Sequence, residues 1–453
     1  MTKVDVLIIG AGTAGEYAAG TARQYTDSIA LIEKGPVGGD CIFHACIPTK
    51  ALVHAARAYK KTKSAAFFGL TPPDYKADYS RVKQFKDRIV SGIAAGRDER
   101  WTGQGIQLFR GNASFISPNQ VSVGDDIIEA KQIIITSGSM PFVPPIPGLK
   151  EAGYITNVEA LELETIPERT AIIGGGPIGV EFAQVLSAFG SRVTIYEALD
   201  RILIGEDEEI SQAVASSFDK QQISVLSAVS ISGVESTISG KLITASNKSG
   251  EETRTEHDII LVATGRRPAI DDLNLLSAGI EAGRKGVIVD ESLRTNVPHI
   301  WAAGDVTGTF LFTFVAGEQG KTAVMNALGG EDIKLNYDIL PRATFCDPEV
   351  ASVGITEAQA REKGYNVKTG KFVFANLTHA IVSGDTYGFI KVVADADSGR
   401  ILGGHIVGAE ASSLIHEIAI AMAGGMTVSG VGGTFHAYPT LSEGVRYACQ
   451  AAI

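Results

Sequence analysis

The sequence predicts an α/β fold in which one strand–helix–strand unit occurs twice. In each copy an apolar run meets the pattern Gly-x-Gly-x-x-Gly, followed by a helix-compatible segment and a second apolar run. The copies cover residues 4–33 and 170–197, and each contains an acid 23 positions after its first glycine. The 453 residues are too many for one hydrophobic core and fit roughly two to four domains.

Composition and charge exclude several classes of function. Hydrophobic residues make up 45% and charged residues 20%, which is ordinary for a folded globular protein. The net charge of −11 contains no block of lysine and arginine, so we expect no nucleic-acid or anionic-membrane partner. The opening MTKVDVLIIG predicts a first strand, not a signal peptide, and no apolar run approaches the ~18 residues of a membrane span. We therefore expect a cytoplasmic protein.

The glycine pattern is typical of dinucleotide binding. Its glycines permit a tight turn, close approach to a pyrophosphate, and close helix–strand packing, while the acid accepts hydrogen bonds from ribose hydroxyls. One match is expected by chance about 0.6 times in a chain with 51 glycines, but two matches with corresponding acids are not. Two purely structural glycine turns are the alternative. The predicted sites comprise Gly10, Gly12, Gly15 and Glu33, and Gly174, Gly176, Gly179 and Glu197.

The acid of the second copy favours NAD(H) over NADP(H). A carboxylate here repels a 2′-phosphate, and an enzyme that prefers NADP usually places an arginine near this strand end. Arg192 precedes the strand, and Arg201 follows Glu197 by four residues in a predicted loop, so neither replaces the acid.

Further segments extend the two units. Residues 133–138 (IIITSG) and 259–265 (IILVATG) each close an apolar strand with a small residue and a glycine, which predicts the last strands of the two units. The proline-rich residues 141–148 predict a linker between them. In IWAAGD, Asp305 follows a strand, where its carboxylate could hold the sugar chain of a flavin.

Residues 38–50, GGDCIFHACIPTK, contain a candidate redox pair. Cys41 and Cys46 are five positions apart, which on a regular helix separates side chains by about 140°, so a bond between them needs a distorted turn. The flanking glycines and proline provide that irregularity, and the helix-compatible residues that follow place both thiols near a helix N-terminus, which favours thiolate. Zinc would lack ligands because His44 is the only nearby candidate, so we expect no metal site. Two inert buried cysteines are the other alternative.

At these residues the chain resembles the pyridine nucleotide–disulfide oxidoreductases, most closely the dihydrolipoamide dehydrogenase branch. The resemblance covers essentially the whole chain, and its most specific motif is the active disulfide, Gly38-Gly39-x-Cys41-x4-Cys46-x-Pro48-x-Lys50. It implies the cofactors FAD and NAD. The candidate FAD contacts are Gly10, Gly12, Gly15, Glu33, Lys34, Gly39, Lys50, Gly138 and Asp305. The candidate NAD contacts are Gly174, Gly176, Gly179, Glu197 and Gly265.

The resemblance also implies site roles and a domain order. It implies that Cys46 lies over the flavin, that Cys41 meets the substrate, and that Lys50 pairs with Glu181 beside the flavin N5. The implied fold class is α/β, with two Rossmann-like FAD/NAD(P)-binding domains plus a C-terminal α+β dimerisation domain. The expected divisions are the FAD domain (1–145), the NAD domain (146–265), a second part of the FAD domain (266–335) and the dimerisation domain (336–453). We expect a homodimer with active sites shared between chains.

The chain departs from the family near its C-terminus. The family pattern is His-Pro-Thr followed by a glutamate, with the imidazole as acid/base for the substrate thiol; here Tyr438 takes the histidine position and Glu443 survives. Tyrosine titrates near pH ~10, and losing a positioned base typically costs ~10²–10⁴-fold in rate. His436, displaced by roughly 6–7 Å in an extended segment, is a candidate substitute base, or else a helix-cap or interface residue. Phe314 also stands where relatives often carry histidine.

The favoured function is dihydrolipoamide dehydrogenase-like transfer, in which electrons pass between a small dithiol or disulfide substrate, the Cys41–Cys46 pair, FAD and NAD. Tyr438 keeps a first alternative open: an NAD(P)H-dependent reductase of another disulfide, a quinone or a metal ion, as in mercuric reductase. That branch carries adjacent C-terminal cysteines, whereas this chain has only Cys449 there, which we expect, like Cys346, to serve in packing. The second alternative is an FAD-binding protein with a structural or regulatory role.

Overall fold

The structure is a computed structural model that describes residues 1–71 and 76–453. The chain divides into two compact units, each assembled from three stretches of sequence. The first comprises Met1–Ala51, Gln84–Phe142 and Gly265–Leu335, and the second comprises Leu52–Lys83, Val143–Thr264 and Asn336–Ile453. The four domain intervals expected from the sequence stay predictions. Within the described ranges, no helix is both long and apolar enough to cross a membrane.

A mostly parallel sheet forms the core of the first unit. Ile8 pairs with Leu31 on one side and Ile134 on the other, and all three side chains are buried, as expected of strands covered on both faces. The strand order is Gln107–Arg110, Ile29–Glu33, Thr2–Ile9, Asp126–Ile135, Gln120–Val123 and Ala113–Ser117, with Ile300–Ala302 also paired to Asp126–Ile135. Short antiparallel pairs join Ser139–Pro141 to Arg266–Pro268 and Ala282–Gly283 to Gly286–Val287.

Helices cover this sheet. They are Thr13–Ala22, Gly39–Phe43, Arg97–Thr102 and Thr313–Gly329, with the start of Cys46–Lys63 and the end of Tyr79–Ala94. The helix after the first glycine turn confirms the strand–helix–strand unit predicted at residues 4–33. A Cβ at Gly320 would lie 2.1 Å from the Ala14 carbonyl oxygen, so two helices touch through their backbones. This close packing holds Thr313, which begins the second of these helices, beside Cys46.

The second unit repeats the strand–helix–strand arrangement. Its parallel sheet has the order Ser224–Leu226, Arg192–Tyr196, Arg169–Ile173 and Ile259–Val262. A helix begins directly after Gly176, which confirms the unit predicted at residues 170–197. An antiparallel sheet adds Val229–Ser236, Lys241–Asn247 and Glu252–His257. The helices of this part are Leu149–Ala152, Asn157–Ala160, Pro177–Ala188 and Glu208–Lys220.

The C-terminal part of the second unit is α+β. Its antiparallel sheet has the order Arg342–Thr344, Glu349–Gly354, Ile401–Gly408, Phe389–Asp395 and Val367–Val373. Its helices are Glu357–Glu362, Thr378–Ser383, Ala411–Ala423, Val428–Gly433 and Glu443–Ala451. Cys346 and Cys449 are fully buried among apolar side chains of the second unit, which agrees with the packing role expected of both.

Candidate active site

The two candidate redox cysteines lie on either side of a break between helices. Cys41 is in a short helix, and Cys46 begins a long one. At His44 the backbone has φ −133° and ψ 0°, which is the distorted turn expected from the sequence. Gly39 has φ +63°, and a Cβ there would lie 2.7 Å from the Cα of Gly12. The cysteine segment therefore packs directly on the first glycine turn.

Both cysteines are free thiols in this structure, and each contacts a hydroxyl that the sequence did not identify. The Cys46 Sγ lies 3.1 Å from the Oγ1 of Thr313. The Cys46 side chain and burial raise the pKa of Cys41, whereas the Thr313 hydroxyl and the Lys50 ammonium act in the opposite sense. Because a thiolate on one sulfur disfavours a second thiolate beside it, the pair favours a single negative charge over two.

The first glycine turn forms a cradle without room for side chains. Gly10 has φ +106°, and a Cβ at Gly15 would lie only 1.8 Å from the Gly10 carbonyl oxygen. The Glu33 carboxylate accepts a hydrogen bond from the Ala11 N–H at 2.6 Å, which fixes it at the end of its strand. A cavity of about 270 Å³ opens here, and its lining includes Gly10, Glu33 and Lys34. These residues fit a dinucleotide, because the backbone is open to phosphates and a carboxylate faces the position of a ribose.

Asp305 lies in a polar cluster that the sequence predicted only in part. Its carboxylate accepts a hydrogen bond from the Ser139 Oγ at 2.6 Å, and the Arg266 Nε lies 4.0 Å from the same oxygen. Burial raises the pKa of Asp305, although Ser139 and Arg266 oppose this effect. Arg266 also forms an ion pair with Asp40, and Gly138, with φ +72°, turns the chain directly before Ser139. A carboxylate held in this way can accept hydrogen bonds from the hydroxyls of a sugar chain.

The second glycine turn repeats the geometry of the first. Gly174 has φ +111°, and a Cβ at Gly179 would lie 2.0 Å from the Gly174 carbonyl oxygen. The Glu197 carboxylate accepts a hydrogen bond from the Gly175 N–H at 2.6 Å, as its counterpart does in the first turn. A Cβ at Gly176 would meet nothing within 4 Å, so the space beside this residue can admit a ligand. This turn therefore also fits a dinucleotide.

Both arginines that flank Glu197 are engaged by other groups. Arg201 donates to the carbonyl oxygens of Leu203 and its neighbour, at 3.4 and 3.0 Å. Arg192 forms an ion pair with Glu168. Because a 2′-phosphate needs a cationic partner near the acid, this arrangement favours NAD(H), in agreement with the sequence.

Lys50 and Glu181 lie in different units. Lys50 follows Cys46 by four positions on the same helix. Glu181 is buried, and its Oε1 accepts a hydrogen bond from the N–H of Phe345 at 2.9 Å. Gly265, with φ +114°, belongs to the first unit. The pairing of Lys50 with Glu181 and the nucleotide contact of Gly265 both stay predictions.

Glu443, the glutamate of the C-terminal motif, forms hydrogen bonds with residues other than Tyr438. Tyr438 is 71% exposed, and its hydroxyl lies 3.4 Å from the Oγ1 of Thr378. The buried Glu443 carboxylate accepts hydrogen bonds from the N–H of Thr440 at 3.2 Å and the hydroxyl of Tyr447 at 3.3 Å. Glu443 thus stabilises the start of its own helix in this structure.

His436 is held by two oxygen acceptors. Its Nε2 lies 2.6 Å from the Oε1 of Glu417, and its Nδ1 lies 3.0 Å from the carbonyl oxygen of Thr434. Both ring nitrogens therefore face oxygen atoms that accept hydrogen bonds. A substrate thiol would have to displace one of these oxygens to reach the ring, which weighs against His436 as the substitute base.

The start of the helix that carries Thr313 presents aromatic rings. Phe314 is half exposed. It stacks on Phe312 with ring centroids 5.7 Å apart and an interplanar angle of 21°. This segment therefore adds apolar surface and no titratable group beside Thr313.

Comparison with known proteins identifies two family patterns in the chain. The pattern described as "Pyridine nucleotide-disulphide oxidoreductase" matches residues 4–327, and the corresponding dimerisation domain matches residues 340–449. A mercuric reductase of Staphylococcus aureus is 36% identical over 450 residues, covering 98% of this chain and 81% of that protein. A dihydrolipoyl dehydrogenase of Chlamydia pneumoniae is 38% identical over 446 residues, covering 97% and 95%.

A solved structure has the same fold. The HOCl-induced flavoprotein disulfide reductase RclA from Escherichia coli superimposes with a TM-score of 0.87 at 29% identity, covering 98% of this chain and 99% of that one. Its Cu(II) complex gives a TM-score of 0.87 at 30% identity, covering 99% of both chains.

The comparisons confirm the predicted fold class and the predicted cofactors, since this family binds FAD and NAD(P). The C-terminal match indicates a homodimer. Relatives of two different activities match at similar identity, so similarity alone does not select the substrate. The chain belongs to the class I pyridine nucleotide–disulphide oxidoreductases.

Proposed function

We propose that this protein is an NADH-dependent flavoprotein reductase that delivers electrons outward, through Cys41 and Cys46, to a thiol-binding metal ion. The observation that carries the proposal is the lack of an available base among the C-terminal motif residues Tyr438, His436 and Glu443. Tyr438 replaces the histidine, both ring nitrogens of His436 face oxygen acceptors, and the Glu443 carboxylate already accepts hydrogen bonds from Thr440 and Tyr447.

A base matters for one direction of electron flow. Oxidation of a dithiol substrate requires its thiols to lose protons before a sulfur atom can attack a disulfide. A positioned base contributes typically ~10²–10⁴-fold to such a step, and tyrosine, with a pKa near ~10, keeps its proton at neutral pH. A thiol-binding metal ion does not need this help, because a coordinating thiol is deprotonated by the metal itself. Metal reduction therefore suits the residues that the chain has.

Each group has a defined role in this proposal. Gly10, Gly12, Gly15, Glu33 and Asp305 would hold FAD, which when bound supplies the hydride chemistry between nicotinamide and sulfur. Cys41 and Cys46 would bind the metal ion, while Thr313 and Lys50 stabilise negative charge on sulfur. One NADH would convert one Hg²⁺ to Hg⁰, or two Cu²⁺ to two Cu⁺, and release one H⁺. The relatives named mercuric reductase and the Cu(II) complex of RclA support these probes.

Dihydrolipoamide oxidation is the second candidate. The intact Cys41, Cys46 and Lys50 motif and the 38% identity to a dihydrolipoyl dehydrogenase favour it. It would require a base that approaches from outside these motif residues, such as water. In either case we propose that Tyr438 of one chain borders the active site of its partner, and that the dimer is cytoplasmic.

The test is a panel of electron acceptors with purified, flavin-loaded protein. NADH oxidation is followed with Hg²⁺, Cu²⁺, lipoamide or a quinone, in wild type, Cys41→Ser and Cys46→Ser, with Cys449→Ser as the control for loss of a buried thiol. We expect metal-dependent oxidation that either active-site substitution lowers by at least about 100-fold, and that Cys449→Ser preserves. Lipoamide-dependent turnover that exceeds metal-dependent turnover would overturn the proposal.

A further inference from the structure

A lysine ammonium is buried in the second unit among three carboxylates. Lys391, on the strand Phe389–Asp395, is only 3% exposed. Its Nζ lies 3.2 Å from Asp207 Oδ1, 2.8 Å from Glu209 Oε1 and 2.8 Å from Glu357 Oε2. A buried charge without partners is strongly destabilising, so these contacts constrain every element that supplies a carboxylate. Burial lowers the pKa of Lys391, but the three carboxylates more than reverse this effect.

Asp207 connects this lysine to the nucleotide side of the unit. It is the N-cap of the helix Glu208–Lys220, where its side chain accepts a hydrogen bond from the N–H of Glu209. It also ends the segment of residues 198–207, which begins directly after Glu197, the acid of the second glycine turn. Lys391 therefore holds one end of this segment, and the strand that ends before Glu197 holds the other.

The same segment forms a wall against the second glycine turn. The N–H of Leu203 donates to the carbonyl oxygen of Gly175 at 2.9 Å. A Cβ at Gly175 would lie 2.5 Å from the Cγ2 of Ile202, so the segment and the turn are in direct contact. The N–H of Gly175 in turn donates to Glu197. Movement of the segment would therefore move both the turn and the acid.

The segment also carries backbone strain. Leu203 has φ +49°, in the left-handed region that a residue with a Cβ rarely adopts. Such a conformation is unfavourable and persists only where the surrounding contacts hold it in place. The Asp207–Lys391 contact fixes one end of the segment, and the burial of the Ile202 and Leu203 side chains fixes its middle.

We propose that Lys391 is a positioning residue for the nicotinamide nucleotide. Through Asp207 it fixes residues 198–207 against the second glycine turn and thereby keeps Gly175 and Glu197 in a conformation that binds NADH. It acts through the chain and touches no nucleotide itself. A residue of the dimerisation-domain sheet thus helps to determine nucleotide affinity.

The carboxylates around Lys391 provide a matched pair of substitutions. Asp207→Asn and Glu357→Gln each remove one negative charge from the same lysine and leave the remaining two carboxylates in place. Glu357 begins the helix Glu357–Glu362 and is far in sequence from the nucleotide segment. Asparagine keeps the ability to cap a helix, so Asp207→Asn weakens the contact with Lys391 more than it weakens the helix.

The experiment compares these two variants with wild type as flavin-loaded dimers. For Asp207→Asn we expect the KM for NADH and the Kd for NAD⁺, measured by calorimetry, to rise about five- to tenfold, since freed side chains must be ordered on binding. The kcat should stay within about twofold of wild type, because the positioning effect lies in binding. Amide hydrogen exchange in residues 198–207 should accelerate without nucleotide present. Glu357→Gln should leave all four quantities unchanged.

Two outcomes would overturn the proposal. One is that both variants have the same KM for NADH, whether raised or unchanged, which would assign the lysine to general stability. The other is failure to fold of both Asp207→Asn and Asp207→Ser while Glu357→Gln folds. Serine also caps helices well, so that result would mean that Asp207 holds the domain together and does not tune the site.

Discussion

Thr313 offers a quantitative test of how the chain stabilises charge on its redox pair. Its hydroxyl lies 3.1 Å from the Cys46 sulfur, and it also lowers the pKa of Cys41. Replacing Thr313 with valine keeps the size of the side chain and removes this donor. The pKa of the reactive thiol should then rise, because the thiolate loses a hydrogen bond that the thiol form needs less.

The size of the effect follows from the contact. Hydrogen bonds to charged groups contribute about 1.5–3 kcal/mol, and sulfur is a weak acceptor, which favours the lower end of this range. Since about 1.4 kcal/mol corresponds to tenfold, alkylation of the reduced flavin-loaded enzyme by iodoacetamide at neutral pH should slow about tenfold.

The assay is the pH dependence of this alkylation, with mass spectrometry to identify the modified cysteine. Thr313→Ser keeps the hydroxyl and should react like wild type, which separates loss of the donor from a packing defect. Alkylation of Thr313→Val within about twofold of wild type across the pH range would refute the reasoning.

Three further predictions concern the second unit. Gly179→Ala should lower the free energy of unfolding by about 3 kcal/mol, because its Cβ would lie 2.0 Å from a carbonyl oxygen. Gly176→Ala should have the melting temperature of wild type and bind NADH more weakly, because its Cβ meets no atom within 4 Å. Equal melting temperatures of the two variants would contradict this. Glu197→Gln should improve the NADPH-to-NADH ratio of kcat/KM about tenfold by removing charge repulsion, and an unchanged ratio would argue against the role of this acid. Burial lowers the pKa of His257 to about 4, below its unfolded value near ~6.5. Below pH ~6.5 the unfolded state therefore binds more protons than the folded state. The free energy of unfolding, measured by thermal unfolding, should fall by up to about 3 kcal/mol as pH falls from ~6.5 to ~4, and His257→Phe should abolish this fall. A variant that keeps the same pH dependence would assign the loss to other groups.

Features governed by local backbone geometry could be predicted from the sequence. Each glycine turn brings its acid back to the backbone N–H next to its first glycine, which is why Gly10 and Glu33 could be recognised together. The break between Cys41 and Cys46 could be predicted because five positions on a regular helix separate the side chains too widely.

Contacts between distant segments could not be predicted in this way. Thr313 is 267 positions from Cys46, and Asp207 is 184 positions from Lys391. Such pairs depend on how sheets and helices pack, and a single sequence carries no local pattern that joins them. One contact did have a local signal: Tyr447 follows Glu443 by four positions, the spacing at which helical side chains meet.

The central claim is that the C-terminal residues Tyr438, His436 and Glu443 provide no available base for oxidising a dithiol, and that the protein therefore passes electrons outward. The most direct measurement is the steady-state rate of NAD⁺ reduction by dihydrolipoamide in wild type and in Tyr438→His. The account predicts a barely detectable rate in wild type and a gain of about 10²-fold or more in the variant, while NADH oxidation by the metal ion is retained in both. Rapid turnover in wild type that Tyr438→His does not increase would contradict it.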